Sequence, residues 1–157
     1  MIYSEAPNYP KPGLIKRWEK SVFLGGSITS AVDWQKHAAK TLLPYFHVFN
    51  PRRNNYQKDE SQDRIQIAWE RNYLNSCDIL LFYFSNETVA PITLFEYGVA
   101  LEQSKHAEFK RIYPCIHPNY SRKNDLLIQT ELINSQWSKN ITFDLVEALS
   151  VIIEENV

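Results

Sequence analysis

One apolar segment, DILLFYF at 78–84, limits what this chain can fold into more than any other feature. A strand with one face in water alternates apolar and polar residues, whereas a continuous apolar run of this length is typical of a strand covered on both faces. Such strands lie in the interior of parallel sheets that carry helices on both sides. The segment therefore predicts the central strand of an α/β domain.

Strand-like and helix-like segments alternate along the rest of the chain. Short apolar runs predict three further strands, at 21–27, 47–51 and 111–117. Apolar residues at helical spacing predict helices at 30–46, 63–77, 91–104 and 142–155. This alternation predicts a doubly wound, mostly parallel sheet, and right-handed crossovers then place helices on both of its faces.

Several helix ends and faces can also be predicted. Ser30 is a candidate cap for the first helix, Pro91 can open the third, and Thr142 or Asp144 can cap the last. The second helix is expected to bury a stripe that contains Ile65.

Residues 1–18 differ from the rest of the chain because they contain Pro7, Pro10, Pro12 and Gly13. Such closely spaced turn-forming residues predict an extended arm. We expect residues 19–157 to form a single domain, since 157 residues with 44% hydrophobic side chains suffice for one core.

Charge and cysteine content argue against several classes of partner. Lys and Arg (17) nearly balance Asp and Glu (18), so we expect neither a nucleic acid polymer nor an anionic membrane as partner. No apolar stretch approaches the roughly 20 residues that span a bilayer, and no signal-peptide pattern is recognisable. We expect a cytoplasmic protein in which Cys77 and Cys115 are free buried thiols. His and Cys spacing matches no metal motif, so neither a metal nor an organic cofactor is expected.

Glycines and polar residues lie at the carboxyl ends of two predicted strands, at the edge where ligands bind in parallel sheets. These are Gly25, Gly26, Ser27, Asn50, Arg52 and Arg53. The Gly-Gly-Ser segment either only permits a tight turn or offers backbone N–H groups to an anion or a sugar hydroxyl. The two arginines are either solvated loop charges or ligands of an anionic group.

Three polar residues on the second and third predicted helices are further candidates. Glu96 lies in an apolar stretch, where a carboxylate is costly unless it is partnered or its pKa shifts, so it is either a partnered structural acid or a functional one. Gln66 and Glu70 share a helical face because they lie four residues apart. Glu70 then either pairs with Arg64 or Arg71 or contacts a ligand.

An ordered set of motifs resembles one known family. The motifs are VFLGGSI (22–28), WQ (34–35), FNPRR (49–53), QIAWE (66–70), CDILLFYF (77–84) and PITLFEYGVAL (91–101). In this order they resemble the nucleoside 2-deoxyribosyltransferases, particularly the short bacterial and phage-type branch. The resemblance implies a flavodoxin-like fold, a homo-oligomer, and cleavage of the N-glycosidic bond of 2′-deoxynucleosides. Its partners would be a small nucleoside or nucleotide and a nucleobase.

The resemblance also implies roles for individual residues. Glu96 and Gly98 lie in the E-x-G-x-A context of the family nucleophile, which implies that Glu96 forms a covalent deoxyribosyl intermediate. Glu70 lies where the transferases carry an acid near the base, so it would protonate or hold the leaving base. Two positions depart from the family pattern: Phe23 replaces a tyrosine, and Ala90 replaces an aspartate.

Three functions remain open at this stage. The first is transfer of the deoxyribosyl group between bases. The second is hydrolysis of 2′-deoxynucleoside 5′-monophosphates, with Arg52 or Arg53 binding the phosphate. The third is a nucleotide-binding module without turnover, which the residues at positions 23 and 90 favour.

Overall fold

The computed structural model describes residues 1–16, 18–28, 32–53, 60–106 and 111–157. In this part of the chain, five strands form one sheet in which every pairing is parallel, in the order β1-β3-β2-β4-β5. The strands are β1 (Tyr3–Glu5), β2 (Ser21–Gly26), β3 (His47–Asn50), β4 (Ile79–Phe84) and β5 (Arg111–Ile116).

Helices cover both faces of this sheet. They are α1 (Trp34–Leu42), α2 (Glu60–Ser76), α3 (Pro91–Ser104), α4 (Lys123–Ile133), α5 (Ser135–Ser138) and α6 (Leu145–Asn156). Side chains of α2, α3, α4 and α5 form one core with the sheet, and side chains of α1 and α6 form the other. The predicted doubly wound, flavodoxin-like α/β fold is confirmed.

Strand β4 occupies the position that its apolar run predicts. It pairs with β2 on one side and with β5 on the other. Leu80 and Phe82 point into the core beneath α2 and α3, whereas Ile79 and Leu81 point into the core beneath α1 and α6. Both faces of the strand are buried in a core, so its sequence does not alternate between apolar and polar residues.

The N-terminal segment contributes to the sheet, which the prediction of an extended arm did not include. Residues 3–5 form the edge strand β1, and the Ala6 N–H donates to the Asn50 carbonyl at 3.0 Å. The Trp69 Nε1–H donates to the Asn8 carbonyl at 2.8 Å, which ties the segment to α2. The turn-forming residues begin only at Pro7, after the strand has ended.

Helix ends follow the predictions in part. Asp144 caps α6, since its Oδ1 accepts from the N–H groups of Val146 and Glu147. Helix α1 begins later than predicted and is capped by Asp33, whose Oδ1 accepts from the Lys36 N–H at 3.1 Å. Ser30, the predicted cap, lies outside the described residues.

The buried face of α2 contains Trp69, Tyr73 and Leu74, as predicted, but it does not contain Ile65. Ile65 is 46% exposed, and Gln66 is buried in its place. An amide side chain of α2 therefore faces the cavity at the carboxyl edge of the sheet.

Candidate active site

A cavity of about 480 Å³ lies at the carboxyl edge of the sheet. Its walls come from the ends of β2 and β3, from the segment between β4 and α3, and from helices α2 and α3. Seven of the predicted site residues line it: Gly26, Ser27, Arg52, Arg53, Gln66, Glu70 and Glu96. Gly25, Asn50 and Gly98 do not belong to its lining.

The two glycines that end β2 are needed for packing. A Cβ atom at Gly26 would lie 2.5 Å from a ring carbon of Trp34 and 2.9 Å from the Tyr83 carbonyl oxygen. A Cβ atom at Gly25 would lie 2.6 Å from the Phe82 ring. Close approach therefore explains both glycines, and only Gly26 also reaches the cavity.

Asn50 and Arg52 shape the loop that follows β3. The Asn50 Oδ1 accepts from the Arg52 N–H, and its Nδ2 donates to the Tyr3 hydroxyl, both at 2.9 Å. The Arg52 Nε donates to Gln35 Oε1 at 3.0 Å and lies 3.4 Å from Asp33 Oδ1. Arg52 thus joins the end of β3 to the start of α1 while it lines the cavity.

Gln66 is fixed against Glu70. Its Nε2 donates to the Pro51 carbonyl at 3.2 Å and to Glu70 Oε1 at 2.8 Å. Because a carbonyl oxygen only accepts, these contacts require the amide nitrogen to face Pro51 and Glu70. The Gln66 side chain therefore anchors one oxygen of the Glu70 carboxyl group.

Burial raises the pKa of the Glu70 carboxyl. The hydrogen bond from Gln66 and the positive charges of Arg53 and Arg71 act in the opposite direction. Since burial is the largest cause, the proton is held more tightly than in a solvated glutamic acid.

Glu96 lies on α3, one turn beyond the proline that opens this helix. Its carboxyl group is partly buried in the cavity wall, and no described residue donates a hydrogen bond to it. Burial raises its pKa to about 7, and the negative charge of Glu70 contributes to the rise. Within the described part of the chain, Glu96 is therefore not a hydrogen-bonded structural acid.

Comparison with known protein families identifies the family to which the chain belongs. The family described as nucleoside 2-deoxyribosyltransferase-like matches residues 19–109, which is more than half of the chain. The protein belongs to the nucleoside 2-deoxyribosyltransferase-like family. No curated protein matches the sequence significantly.

The matched segment contains every cavity-lining residue of this deoxyribosyltransferase-like protein. It extends from before β2 to beyond the end of α3. The family match and the cavity therefore coincide in the sequence.

Phe23 and Ala90, the two departures from the family pattern, both line the cavity. The Phe23 ring is buried, with its centroid 6.4 Å from that of Trp69, and it brings no hydroxyl group to the site. Ala90 adopts a left-handed backbone conformation with φ of 48° immediately before α3. The alanine side chain brings no carboxyl group to this part of the cavity of this deoxyribosyltransferase-like protein.

Sequence reasoning named Arg71 only as a possible partner of Glu70 and did not consider Phe95. The Arg71 guanidinium carbon lies 5.8 Å from the centroid of the Phe95 ring, so the two residues join α2 to α3 beside the cavity. Their positions in the sequence could have indicated both residues, since each is adjacent to one of the two acids.

Two kinds of feature are absent from the described residues. No group of three or more His, Cys, Asp or Glu side chains there has an arrangement that could hold a metal ion. No helix in the same residues combines the length and the apolar character needed to cross a membrane.

Proposed function

We propose that this protein cleaves the N-glycosidic bond of 2′-deoxynucleosides and transfers the deoxyribosyl group to another nucleobase, with Glu96 as the nucleophile. The observation that carries the proposal is the Glu96 carboxyl group in the cavity wall, close enough to Glu70 to feel its charge and without a hydrogen-bond donor among the described residues. A carboxylate that accepts no hydrogen bond from these residues can approach the anomeric carbon of a bound sugar.

The first step is displacement of the base by Glu96. A carboxylate oxygen of Glu96 forms a bond to C1′ as the bond from C1′ to the base nitrogen breaks. The electron pair of the broken bond goes to the base, and the Glu70 carboxyl group supplies the proton that neutralises it. The products are a neutral base, a deoxyribosyl ester of Glu96 and an ionised Glu70.

The second step reverses the first with a new base. A ring nitrogen of the incoming base attacks C1′, the ester bond breaks, and the Glu96 carboxylate is regenerated. The proton displaced from the incoming nitrogen returns to Glu70. Two displacements at the same carbon retain the configuration of the sugar, as in retaining glycosidases.

The surroundings of Glu70 suit the role of acid. Burial favours its protonated form, and the Gln66 Nε2 donates to Oε1. The proton of the neutral acid therefore lies on Oε2, which leaves that oxygen as the donor toward the base.

A second candidate function is hydrolysis of 2′-deoxynucleoside 5′-monophosphates. Two adjacent arginines, Arg52 and Arg53, line the cavity and favour an anionic substrate. Water would then take the place of the second base. We expect Arg53→Ala to weaken binding of the monophosphates and to spare the nucleosides. Arg52→Ala should impair both substrate classes, because Arg52 also ties the end of β3 to α1.

Incubation with defined substrates tests the proposal. The purified protein is mixed with each 2′-deoxynucleoside and each 5′-monophosphate, with and without an excess of a different free base, and the products are separated by chromatography. A new deoxynucleoside that appears only with added base supports transfer. Free base released without exchange supports hydrolysis instead.

Two variants make this assay specific for the site. Glu96→Ala should remove the reaction, whereas Glu102→Ala should not, because Glu102 is exposed on α3 and paired with Lys105 at 2.8 Å. No product from any substrate, together with equal ligand binding by the wild type and Glu96→Ala, would favour a nucleotide-binding module without turnover.

We also propose that the protein is a homo-oligomer. Large apolar side chains are exposed around the cavity mouth and on the neighbouring surface of α3, including Ile67 (61%), Ile92 (67%) and Phe95 (61%). A second copy of the chain would cover this surface. Sedimentation equilibrium is expected to give at least a dimer, and a monomer at micromolar concentration would contradict this expectation.

A further inference from the structure

Arg71 and Phe95 form a contact between the two helices that carry the acids. Arg71 directly follows Glu70 on α2, and Phe95 directly precedes Glu96 on α3. The guanidinium carbon lies 5.8 Å from the ring centroid, within the range of a cation–π interaction. This contact places a positive charge beside the two carboxyl groups.

Glu96 is in an environment that disfavours its charged form. The side chain is partly buried, no described residue donates a hydrogen bond to it, and it feels the negative charge of Glu70. A nucleophilic carboxylate must nevertheless be ionised when it attacks. Some positive charge near α3 is therefore required.

Charged side chains reach this region from α2 and from the loop after β3. They are Glu60, Asp63, Arg64, Glu70 and Arg71 on α2, and Arg52 and Arg53 in the loop. Arg52 is held by Asp33 and Gln35, and the charge of Arg53 acts on Glu70. Arg71 is held over the ring of Phe95, the residue next to Glu96, and its positive charge favours the ionised form of Glu96.

We propose that Arg71 is a positioning residue for Glu96: held over the Phe95 ring, its guanidinium group keeps the Glu96 carboxylate charged and ready to attack. This role depends on the proposed function in one respect: the ionised carboxylate of Glu96 is taken as the reacting form. It also gives a role to Phe95, a large side chain that is 61% exposed on α3. The ring face restricts the guanidinium group to the vicinity of the acids.

The test measures the titration of Glu96 itself. Glutamate is labelled with ¹³C at the carboxyl carbon, and the Glu96 signal is assigned by its absence in Glu96→Gln. We expect Arg71→Met, which keeps a long unbranched side chain, to raise the pKa of Glu96 by about one unit. The acid limb of the kcat/KM profile should move by the same amount.

Matched variants separate this effect from a general loss of structure. Arg64→Met removes an exposed arginine from the same helix and should leave the titration unchanged. Arg71→Lys should restore most of the wild-type value because it keeps the charge. Phe95→Leu should give an intermediate pKa, since the guanidinium group loses its anchor.

An unchanged Glu96 titration in a folded Arg71→Met protein would overturn the inference. If that variant does not fold, Phe95→Leu, on the exposed face of α3, serves as the test instead. An unchanged Glu96 titration in Phe95→Leu would then overturn the inference. Titration requires no turnover, so the two proposals fail separately. A shifted titration in a protein that cleaves no deoxynucleoside supports the role of Arg71 and contradicts the proposed reaction. An active wild type with an unmoved titration supports the reaction and overturns the role of Arg71.

Discussion

Glu70 on α2 and Glu96 on α3 line one cavity, and the negative charge of Glu70 raises the pKa of Glu96. Two carboxyl groups that interact in this way titrate as a pair, and the form with a single negative charge is favoured near neutral pH. One group then holds a proton while the other is ionised. This division matches a reaction that needs one acid and one nucleophile.

The pH dependence of turnover follows from this division. We expect kcat/KM to rise with pH through about 7, where Glu96 loses its proton and becomes nucleophilic. A rate profile on a deoxynucleoside checks this rise. A rate that stays level as the pH is lowered from 7 would contradict the assignment of Glu96.

Glu70→Gln should distinguish substrates by their leaving groups. Without an acid, a base that leaves poorly as an anion should react about 10²–10⁴-fold more slowly, whereas an activated base that needs no proton should lose little. The measurement is kcat/KM on a natural and an activated deoxynucleoside side by side. Equal losses on both would show that Glu70 acts only through the structure of the cavity.

Glu96 should reduce the stability of the folded protein at neutral pH. Its pKa is about 7 when folded and near 4.5 when the chain is unfolded, so the folded chain binds more protons between these values and stability falls as pH rises. We expect Glu96→Gln to be more stable than the wild type above pH 7 by about 1–3 kcal/mol, and equally stable near pH 4. Denaturant titrations at the two pH values check this, with Glu102→Gln as the control. A wild type that gains stability over the variant as the pH rises would contradict the burial of this carboxyl group.

Two glycines named as site candidates should respond in opposite ways to alanine. A Cβ atom at Gly26 collides with the Trp34 ring, so Gly26→Ala should lower the free energy of unfolding by about 1–3 kcal/mol. A Cβ atom at Gly98 meets nothing within 4 Å on α3, so Gly98→Ala should raise it by about 0.5–1 kcal/mol and keep the activity. Thermal unfolding and the transfer assay check both variants. A Gly98→Ala protein that is stable but inactive would place this backbone position in contact with substrate.

The fold was predictable where one strong local signal had no competitor. The apolar run of β4, the proline that opens α3 and the aspartate that caps α6 each determine their element directly. Strand β1 is only three residues long, and its pairing with β3 comes from tertiary contact, so no periodicity shows it. Helix α4 was missed because its pattern is mixed: Leu132 is 76% exposed and Thr130 is fully buried.

The part of the site that lies at the carboxyl ends of the strands was predictable, because ligands bind at that edge of a parallel sheet. That rule places Gly26, Ser27 and the two arginines at the cavity, but it does not say which way a side chain turns. Asn50, for example, lies at a strand end but turns toward Tyr3 and the loop backbone instead of the cavity. The Arg71–Phe95 contact joins two helices, and only their packing in three dimensions creates it.

Trapping of the covalent intermediate tests the central claim most directly. The protein is mixed with a 2′-deoxynucleoside or with its 2′-fluoro analogue, whose sugar fluorine slows breakdown of the intermediate, and is then digested and examined by mass spectrometry. We expect one deoxyribosyl group on the peptide that contains Glu96, formed by the wild type and absent in Glu96→Gln. Turnover by Glu96→Gln at the wild-type rate, or an adduct on another residue, would contradict the assignment of Glu96 as the nucleophile.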